Sequence, residues 1–499
     1  MSKITPRPYQ QEVIDKLRDS YRSGKRHPLI VMPTGAGKAC VLGFVVENAA
    51  AKNNETLVVA HRQELIFQLS LTLCNFGIEH NLIAAANTIS AIKMSQYKSF
   101  GRIFWNPRAK VHVGSVQTIS SRLDSLKINP VLIIIDEQHH LSVGNQWGKV
   151  FDKFSNSLGL GLTATPQRTD GKGMGIGFGG YNDDLIIGPQ MSWLIEQGFL
   201  APYKVYTTGK QMDVSGVKKK RNGEFDEKSL SEIADKPSII GDAITHYKQL
   251  CDGLSGVCYC VSIDHSKHVA AMLTENGIPA AHVDGTMDDA ERRKVFTDYA
   301  DGVIKIICNQ SIISEGTDLE SLTQRKGVTL DVCIDLAPTQ SLIVAMQRWG
   351  RVLRNKPNKV AYIIDHASNI LRHGLPDMER EWSLEGEVKD KKNSGEKTIS
   401  VRTCPACFHI HLPEPQCPDC GFIYPIQVRT VEEKDGELVE LTEQDKAAIK
   451  YQMKWDKRRE QAKAETLDDL IALGRQRGYK NPVGWANHML RAREAKKAS

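Results

Sequence analysis

The chain has 499 residues, a net charge of +6 at neutral pH, and hydrophobic and charged shares of 41% and 25%. This balance is that of a folded globular protein and excludes disorder of the chain as a whole. The length exceeds one ordinary core and predicts three or four domains. Apolar runs such as 131–135 are far too short to cross a bilayer, and the first residues include no apolar leader segment. We therefore expect no membrane partner and a cytoplasmic location.

Short apolar runs alternate with helical patterns over the first 200 residues. They are apolar enough to be strands buried on both faces, at 28–32, 57–60, 110–113, 131–135 and 159–162. Such runs separated by helices predict a parallel, helix-covered sheet. A second series follows, at 257–261, 280–283, 304–308, 332–334 and 360–364. The predicted fold class is therefore α/β, with one lobe at 1–200 and a second at 201–386.

The remaining chain differs in composition from these two lobes. Residues 387–398 are polar and charged with few apolar anchors, which predicts a linker. Residues 400–425 contain paired cysteines, and residues 430–499 predict a mostly helical, basic tail.

A glycine-rich segment lies directly after the strand predicted at 28–32 and before a helical segment. A turn of this kind surrounds a phosphate with backbone N–H groups, and the following helix adds the positive end of its dipole. A lysine at its end reaches the β- and γ-phosphates, so the cofactor predicted is ATP. The segment consists of Pro33, Thr34, Gly35, Ala36, Gly37 and Lys38.

Two positions depart from the usual phosphate-loop pattern. Met32 replaces the first glycine or alanine, which is a tolerable change. Ala39 replaces the serine or threonine that normally ligates Mg²⁺, and it has no hydroxyl to offer. Three interpretations stay open: the metal is held through Asp136 and waters, hydrolysis is weakened, or the alanine is an engineered substitution that traps nucleotide.

An apolar strand at 131–135 ends in two adjacent carboxylates, Asp136 and Glu137. The carboxyl edge of a parallel sheet is where α/β proteins bind ligands. Asp136 can hold Mg²⁺ there, and Glu137 can orient or deprotonate the attacking water. A pair that merely caps the strand is the alternative.

The paired cysteines form two CxxC units separated by nine residues. Four thiolates at this spacing can hold one Zn²⁺ tetrahedrally, so a zinc ribbon is predicted. A redox pair is the alternative. The ligands predicted are Cys404, Cys407, Cys417 and Cys420.

The phosphate loop, followed by Asp-Glu-Gln-His at 136–139, resembles motifs I and II of superfamily 2 helicases of the DEAH-like kind. The resemblance extends over about residues 5–385 and implies two tandem RecA-like lobes. In that family a first segment reads adenine and motifs Ia and Ib line the nucleic-acid track. By this match the adenine-reading residues are Arg7 and Gln10, and the track residues are His61, Arg62, Gln117 and Thr118.

Further motifs follow in the family's order. Thr163 and Thr165 resemble motif III and, with His139, are implied to couple hydrolysis to lobe movement. Gly316 and Asp318 are the signature positions of a segment that resembles motif V and are implied nucleotide contacts.

Residues 347–354 resemble motif VI of the same family. The match implies that Arg351 and Arg354 are arginine fingers and that Gln347 contacts the γ-phosphate. The physical logic agrees, because the first lobe offers no cation to the far side of that phosphate. Arginines on a second lobe supply the charge, worth roughly 10³ to 10⁵ in rate in related systems. A basic amphipathic helix face is the alternative.

The order of motor, ribbon and basic tail resembles RadD-type and phage-encoded relatives of DNA repair and replication helicases. We therefore predict an ATP-dependent helicase or translocase that acts on DNA in replication, recombination or repair. The alternatives are an RNA helicase, a nucleic-acid-binding adaptor whose ATPase is weakened by Ala39, and the motor subunit of a complex with a nuclease. Nuclease, replication or repair proteins are the protein partners predicted. The resemblance also implies a location at the nucleoid if the chain is bacterial and in the host cytoplasm if it comes from a phage.

Overall fold

Among the residues that it describes, the computed structural model contains two seven-stranded sheets and one two-stranded sheet. The predicted α/β fold with two parallel-sheet lobes is confirmed. The structure describes residues 4–168, 171–208, 214, 217–220, 224–313, 319, 323, 325, 327–385, 402–403, 410–411, 438–440, 464, 466–476, 482–483, 485–487 and 489–490.

The sheet of the first lobe is entirely parallel, in the order β3-β4-β2-β5-β6-β1-β7. Its central strands are buried along their length because helices cover both faces. The elements are α1 (Pro8–Arg22), β1 (Pro28–Val31), α2 (Lys38–Ala51), β2 (Thr56–Ala60), α3 (Gln63–Asn75), β3 (Asn81–Ile83), α4 (Ala86–Phe100), β4 (Val111–Ser115), α5 (Val116–Ser121), β5 (Leu132–Asp136), α6 (Gln146–Lys153), β6 (Leu158–Thr163), β7 (Asp184–Ile187) and α7 (Met191–Glu196).

The sheet of the second lobe has the order β10-β11-β9-β12-β13-β8-β16, and only the β8–β16 pair is antiparallel. Its elements are β8 (Tyr203–Thr208), α8 (Glu227–Ala234), α9 (Pro237–Cys251), β9 (Gly256–Tyr259), α10 (Ile263–Glu275), β10 (Ala280–Val283), α11 (Asp289–Ala300), β11 (Ile306–Asn309), β12 (Val332–Asp335), α12 (Leu342–Val352), β13 (Ala361–Asp365), α13 (Asn369–His373) and β16 (Leu438–Glu440).

The predicted tail, residues 430–499, contains one element that the sequence did not suggest. Leu438–Glu440 is a strand that extends the second sheet beside β8. Edge pairing with a distant strand overrides the weak local preference of three residues. Further on, α14 (Leu467–Gln476) packs Leu470 and Leu473 against Trp485 and Ala486 in a small helical core.

A short antiparallel pair, β14 (Arg402–Thr403) and β15 (Ile410–His411), lies in the region predicted as a zinc ribbon. The four predicted zinc ligands and the predicted linker lie outside the described residues. No helix within the described part of the chain is long and apolar enough to span a bilayer.

The two lobes share one continuous hydrophobic core. It includes Ile30 and Met32 of the first lobe and the fully buried Trp349 of the second. The Ala201 amide donates to the Leu353 carbonyl at 2.8 Å. The end of α12 is thus fixed against the segment that connects the lobes, and this contact positions the site below.

Candidate active site between the lobes

The phosphate loop runs from the end of β1 to the start of α2 and depends on two glycines with left-handed backbone conformations. Gly35 has φ +86° and Gly37 has φ +84°. An added Cβ would lie 2.7 Å from Leu200 Cδ2 at the first and 2.3 Å from Gln10 Nε2 at the second. Glycine is therefore required at both positions for two reasons: the backbone conformation favours it, and any side chain would come too close to a neighbouring residue.

Lys38 is the first residue of α2 and lies in the cleft with the acidic pair. Its Nζ donates to the Met32 carbonyl at 3.2 Å. Desolvation lowers the pKa of Lys38, while the carboxylates of Glu137 and Asp136 oppose that shift. The neighbouring Ala39 brings no side-chain oxygen to this cation site.

Asp136 ends β5, and its carboxyl accepts from the Glu137 amide at 3.1 Å. Burial, and next the nearby Glu137, raise the pKa of Asp136 to about 6. Two acidic groups this close favour a divalent metal, which would relieve their repulsion. The residues present therefore fit Mg²⁺, with Asp136 as the protein ligand.

Glu137 has a left-handed backbone, with φ 52° and ψ 55°, which is uncommon for a residue other than glycine. Its side chain is 9% exposed, and Oε2 has no hydrogen-bond partner among the described residues; His139 Nδ1 is 3.5 Å away. Strained backbone and an unpaired buried oxygen are typical of a site that receives a ligand. A water bound at this oxygen would fit the role predicted for Glu137.

A hydrogen-bond chain joins the acidic motif to the end of β6. His139 Nδ1 lies 3.2 Å from Thr163 Oγ1, which donates to the Thr165 carbonyl at 3.0 Å. The Thr165 amide in turn donates to Thr163 Oγ1 at 3.2 Å. The three predicted coupling residues therefore form one buried unit between adjacent strands.

Helix α12 of the second lobe lies directly on the phosphate loop. An added Cβ on Gly350 would be 2.6 Å from Thr34 Cβ. Arg351 and Arg354 are close enough to lower the pKa of Lys38 by electrostatic repulsion, although desolvation is the largest cause. The structure thus places both predicted arginine fingers in the cleft that contains Lys38.

Gln347, one turn earlier on α12, is 2% exposed. Neither Oε1 nor Nε2 has a hydrogen-bond partner among the described residues. Leaving a buried amide unsatisfied costs about 1–3 kcal/mol, so native structures seldom do it without a ligand. A phosphate oxygen would take the Nε2 hydrogens.

Two residues that the sequence analysis missed hold α12 in place. Arg348 Nη1 donates to Asp335 Oδ1 at 3.1 Å and to the Ala337 carbonyl at 2.6 Å. Lys359 Nζ donates to the Arg354 carbonyl at 2.8 Å, and burial lowers the pKa of Lys359 to about 8. Arg348 stands within the motif and could have been considered; nothing in the sequence marks Lys359.

The predicted adenine-reading segment begins α1 beside the phosphate loop. Gln10 is 4% exposed; its Oε1 accepts from the Arg7 amide at 3.0 Å and its Nε2 donates to the Ala36 carbonyl at 3.3 Å. Gln10 therefore also ties α1 to the loop. Arg7 lies 4.8 Å from the ring centre of Phe199, which makes an edge contact with Tyr9.

The predicted track residues lie at the carboxyl ends of β2 and β4, which are neighbours in the sheet. Arg62 Nη1 donates to the Ser311 carbonyl of the second lobe at 3.2 Å, and the His61 ring lies 4.4 Å from that of His140. Gln117 is exposed, whereas the Thr118 amide donates to Ser115 Oγ at 3.0 Å. Thr118 therefore also takes part in the cap of α5.

Other predicted positions cannot be placed in this way. Gly316 and Asp318, like the cysteines of the predicted ribbon, lie outside the described residues. Within the described ranges no group of three His, Cys, Asp or Glu side chains is arranged to hold a metal ion. Seven cysteines there are free thiols, consistent with small buried hydrophobic residues.

Comparison with known proteins identifies the two lobes. Residues 3–168 match the family model of the type III restriction enzyme res subunit, and residues 242–356 match the helicase conserved C-terminal domain. A 51.5 kDa protein of Lactococcus phage (isolate 7-9) is 30% identical over 423 residues, 85% of this chain and 84% of that protein.

More distant similarities agree with this assignment. The type I restriction enzyme EcoAI endonuclease subunit of Escherichia coli is 26% identical over 54% of this chain, which spans 34% of that protein. The structure titled "ATP-dependent Type ISP restriction-modification enzyme LlaBIII bound to DNA" shares the fold, with a TM-score of 0.50 and 17% identity over 72% of this chain and 28% of that one. The chain belongs to the same family as the phage protein and is an ATP-hydrolysing helicase of superfamily 2.

Proposed function

We propose that this helicase acts on DNA in replication, recombination or repair, and that ATP drives it by closing one lobe on the other. The observation that carries the proposal is the contact between Gly350 on α12 and Thr34 in the phosphate loop. It brings Arg351 and Arg354 close enough to Lys38 to repel its charge, and Gln347 lies one turn earlier on the same helix. Loss of the γ-phosphate would remove what these groups bind, so hydrolysis would release the lobes.

Each residue of the site has a proposed task in hydrolysis. Lys38 and the loop amides hold the phosphates, and Asp136 would hold Mg²⁺, which when bound neutralises charge on the phosphate oxygens. Glu137 orients and deprotonates the attacking water. Arg351 and Arg354 face the charge that develops in the transition state. Ala39 has no side-chain oxygen to ligate Mg²⁺, so binding of Mg²⁺ would depend on the side chain of Asp136.

DNA is preferred over RNA because of the relatives. The matched family model and the Escherichia coli relative are restriction-enzyme subunits. UvrABC system protein B of Chlamydia muridarum is 30% identical over 134 residues, 27% of this chain. These similarities favour DNA, and the restriction-enzyme relatives make a nuclease the first partner to seek in a pull-down.

The deciding experiment measures the ATPase rate against single-stranded DNA, duplex DNA, forked DNA and RNA. We expect DNA to stimulate hydrolysis more strongly than RNA of the same sequence and length. Stronger stimulation by RNA would contradict the proposal and favour the RNA helicase. Absence of hydrolysis in both this chain and the Ala39→Thr variant would favour an idle adaptor.

We further propose that Cys404, Cys407, Cys417 and Cys420 bind one zinc ion and that the resulting ribbon places this chain near the RadD-type helicases. The support is the spacing of the two CxxC units. The antiparallel pair of β14 and β15 brackets the first unit, which is compatible with a ribbon.

A further inference from the structure

A surface at the outer edge of the first lobe combines cations with exposed apolar side chains. It is formed by the second half of α4 and the segment that follows, residues 93–105, and is called the α4 face below. Met94, Tyr97 and Ile103 are 61%, 62% and 47% exposed there. Large apolar side chains that are exposed close together, and not singly, mark surfaces that bind a partner. The α4 face is therefore a candidate binding surface.

The charge of this region has one sign. Residues 80–123 contain six lysines and arginines and no aspartate or glutamate, although 59 of the 499 residues of the chain are acidic. The cations of the α4 face are Lys93, Lys98 and Arg102, and none of them forms an ion pair with a residue that the structure describes. Protein surfaces usually intersperse both signs, so this one favours a negatively charged partner.

Aromatic rings lie beside these cations. Lys93 Nζ is 4.2 Å from the ring centre of Trp105, so the segment after α4 lies against the side of the helix that carries Lys93. Tyr97 is one turn after Lys93 and shares that side of α4. An exposed ring flanked by cations is typical of surfaces that bind single-stranded nucleic acid, in which bases stack on the ring and phosphates meet the cations.

The apolar side chains favour a single strand over a duplex. A duplex offers its phosphates to a protein surface, but its bases are stacked inside the helix. Against a duplex backbone, Tyr97 and Met94 would gain no partner for their exposed area. A single strand supplies phosphates to the cations and unstacked bases to the ring, so it satisfies both features of the α4 face.

The α4 face lies away from the predicted track between the lobes. The track residues follow the carboxyl ends of β2 and β4, and α4 begins at the carboxyl end of β3 and runs back along the sheet. The Asn106 amide donates to the His80 carbonyl at 3.0 Å, just before β3 begins, so the α4 face ends at the amino edge of the sheet. The 15 residues of α4 span about 22 Å. The α4 face is thus separate from the track.

We propose that the α4 face is a second binding site for single-stranded nucleic acid, in which Tyr97 stacks on a base and Lys98 and Arg102 contact phosphates. The inference rests on the proposed action on nucleic acid. A strand that reaches both the track and the α4 face is held at two places, so it binds more tightly than a strand that reaches only one of them. The α4 face thereby retains a strand that extends beyond the track.

The test measures binding of fluorescent single strands of about 10 and about 40 nucleotides, because single-strand sites span roughly 4–16 nucleotides. The test variants are Tyr97→Leu and the double variant Lys98→Gln with Arg102→Gln. ATP hydrolysis stimulated by the short strand reports on the track alone. Thermal unfolding of each variant checks that the fold is retained.

Each test variant has a matched control. Tyr97→Phe is the control for Tyr97→Leu, because it keeps a ring that can stack on a base. The control for the double variant is Lys16→Gln with Arg22→Gln, which removes two cations from α1 of the same lobe, where the side chains are 50% and 75% exposed.

We expect the test variants to lose affinity for the long strand. Tyr97→Leu should weaken its binding about tenfold, because one stacked base is lost. The double variant should reduce the slope of log affinity against log salt by about 1.4, the value for two phosphate contacts on a single strand. Hydrolysis stimulated by the short strand should be unchanged, and both controls should behave like the unmodified chain.

Three results would overturn the inference. Equal long-strand affinity in Tyr97→Leu and Tyr97→Phe would exclude base stacking, and if the double variant then weakened binding of duplex and single strand alike, the surface would bind a duplex backbone. Unchanged nucleic-acid binding in every variant would leave an acidic protein as the partner. Loss of hydrolysis stimulated by the short strand would assign the α4 face to the track. Failure of the proposed function is distinguishable, because the unmodified chain would then hydrolyse ATP without binding either strand.

Discussion

The contact between α12 and the phosphate loop can be tested by adding one methyl group. In Gly350→Ala the new Cβ would lie 2.6, 3.1 and 3.2 Å from Thr34 Cβ, Cγ2 and Oγ1. Carbon atoms in contact need about 3.5–4.0 Å, so α12 must move roughly 1 Å away from the loop. Arg351 is the next residue and moves with it. A displacement of 1 Å can reduce catalysis on the order of 10²-fold.

The expected result is a fall of about 10²-fold in nucleic-acid-stimulated kcat. Alanine favours a helix over glycine by about 1 kcal/mol, so the melting temperature should not fall through helix propensity. Gly241→Ala in α9 is the matched control, because nothing lies within 4 Å of its added Cβ. It should hydrolyse ATP at the unmodified rate. Normal turnover in Gly350→Ala would show that closure onto Thr34 does not take part in hydrolysis.

Four further predictions concern the metal sites and the nucleotide cleft. Lys38→Ala and Glu137→Gln should each abolish stimulated ATP hydrolysis while nucleic-acid binding survives; unchanged turnover in both would refute the assigned roles. Ala39→Thr should tighten Mg²⁺ binding, measured as the Mg²⁺ concentration for half-maximal ATPase, and an unchanged requirement would show that the hydroxyl is not missed. Because the pKa of Asp136 is raised to about 6, its metal-free carboxyl loses its charge as pH falls through 6. Mg²⁺ affinity should therefore decline from pH 7 to pH 5. The protonated carboxyl contributes folding stability that should be lost as the pH rises through about 6. This pH dependence should be absent in Asp136→Asn. Metal analysis should find one zinc per chain, and none in freshly folded protein would exclude the ribbon.

Much of the nucleotide site follows from local sequence. Gly35, Gly37 and Lys38 lie between a strand and a helix, and that local order already forms an anion cradle. Asp136 and Glu137 end an apolar strand, so they fall on the same edge of any parallel sheet that contains both strands. To predict the contact of His139 with Thr163 from the sequence, one must also know that β5 pairs with β6.

Other features depend on tertiary contacts that no local sequence pattern shows. The short strand at Leu438–Glu440 pairs with Thr208 and its neighbours, and three residues contain no period that could reveal this. The Lys359 bond to the Arg354 carbonyl depends on a bend after α12. That the buried side-chain amide of Gln347 lacks a hydrogen-bond partner among the described residues follows only from the tertiary structure.

The sequence by itself determined the α/β class, the two lobes and the side chains predicted to meet the phosphates. Buried strands and a phosphate loop can be predicted in this way because each is a pattern of residues that are adjacent in the sequence. Tertiary structure decided which face of α12 meets Thr34, and that Arg292 Nη1 of the second lobe lies 3.6 Å from Glu64 Oε1 of the first. The physical reason is that contacts between lobes depend on how two folded surfaces fit together. No spacing along the chain encodes the fit of surfaces that are more than two hundred residues apart.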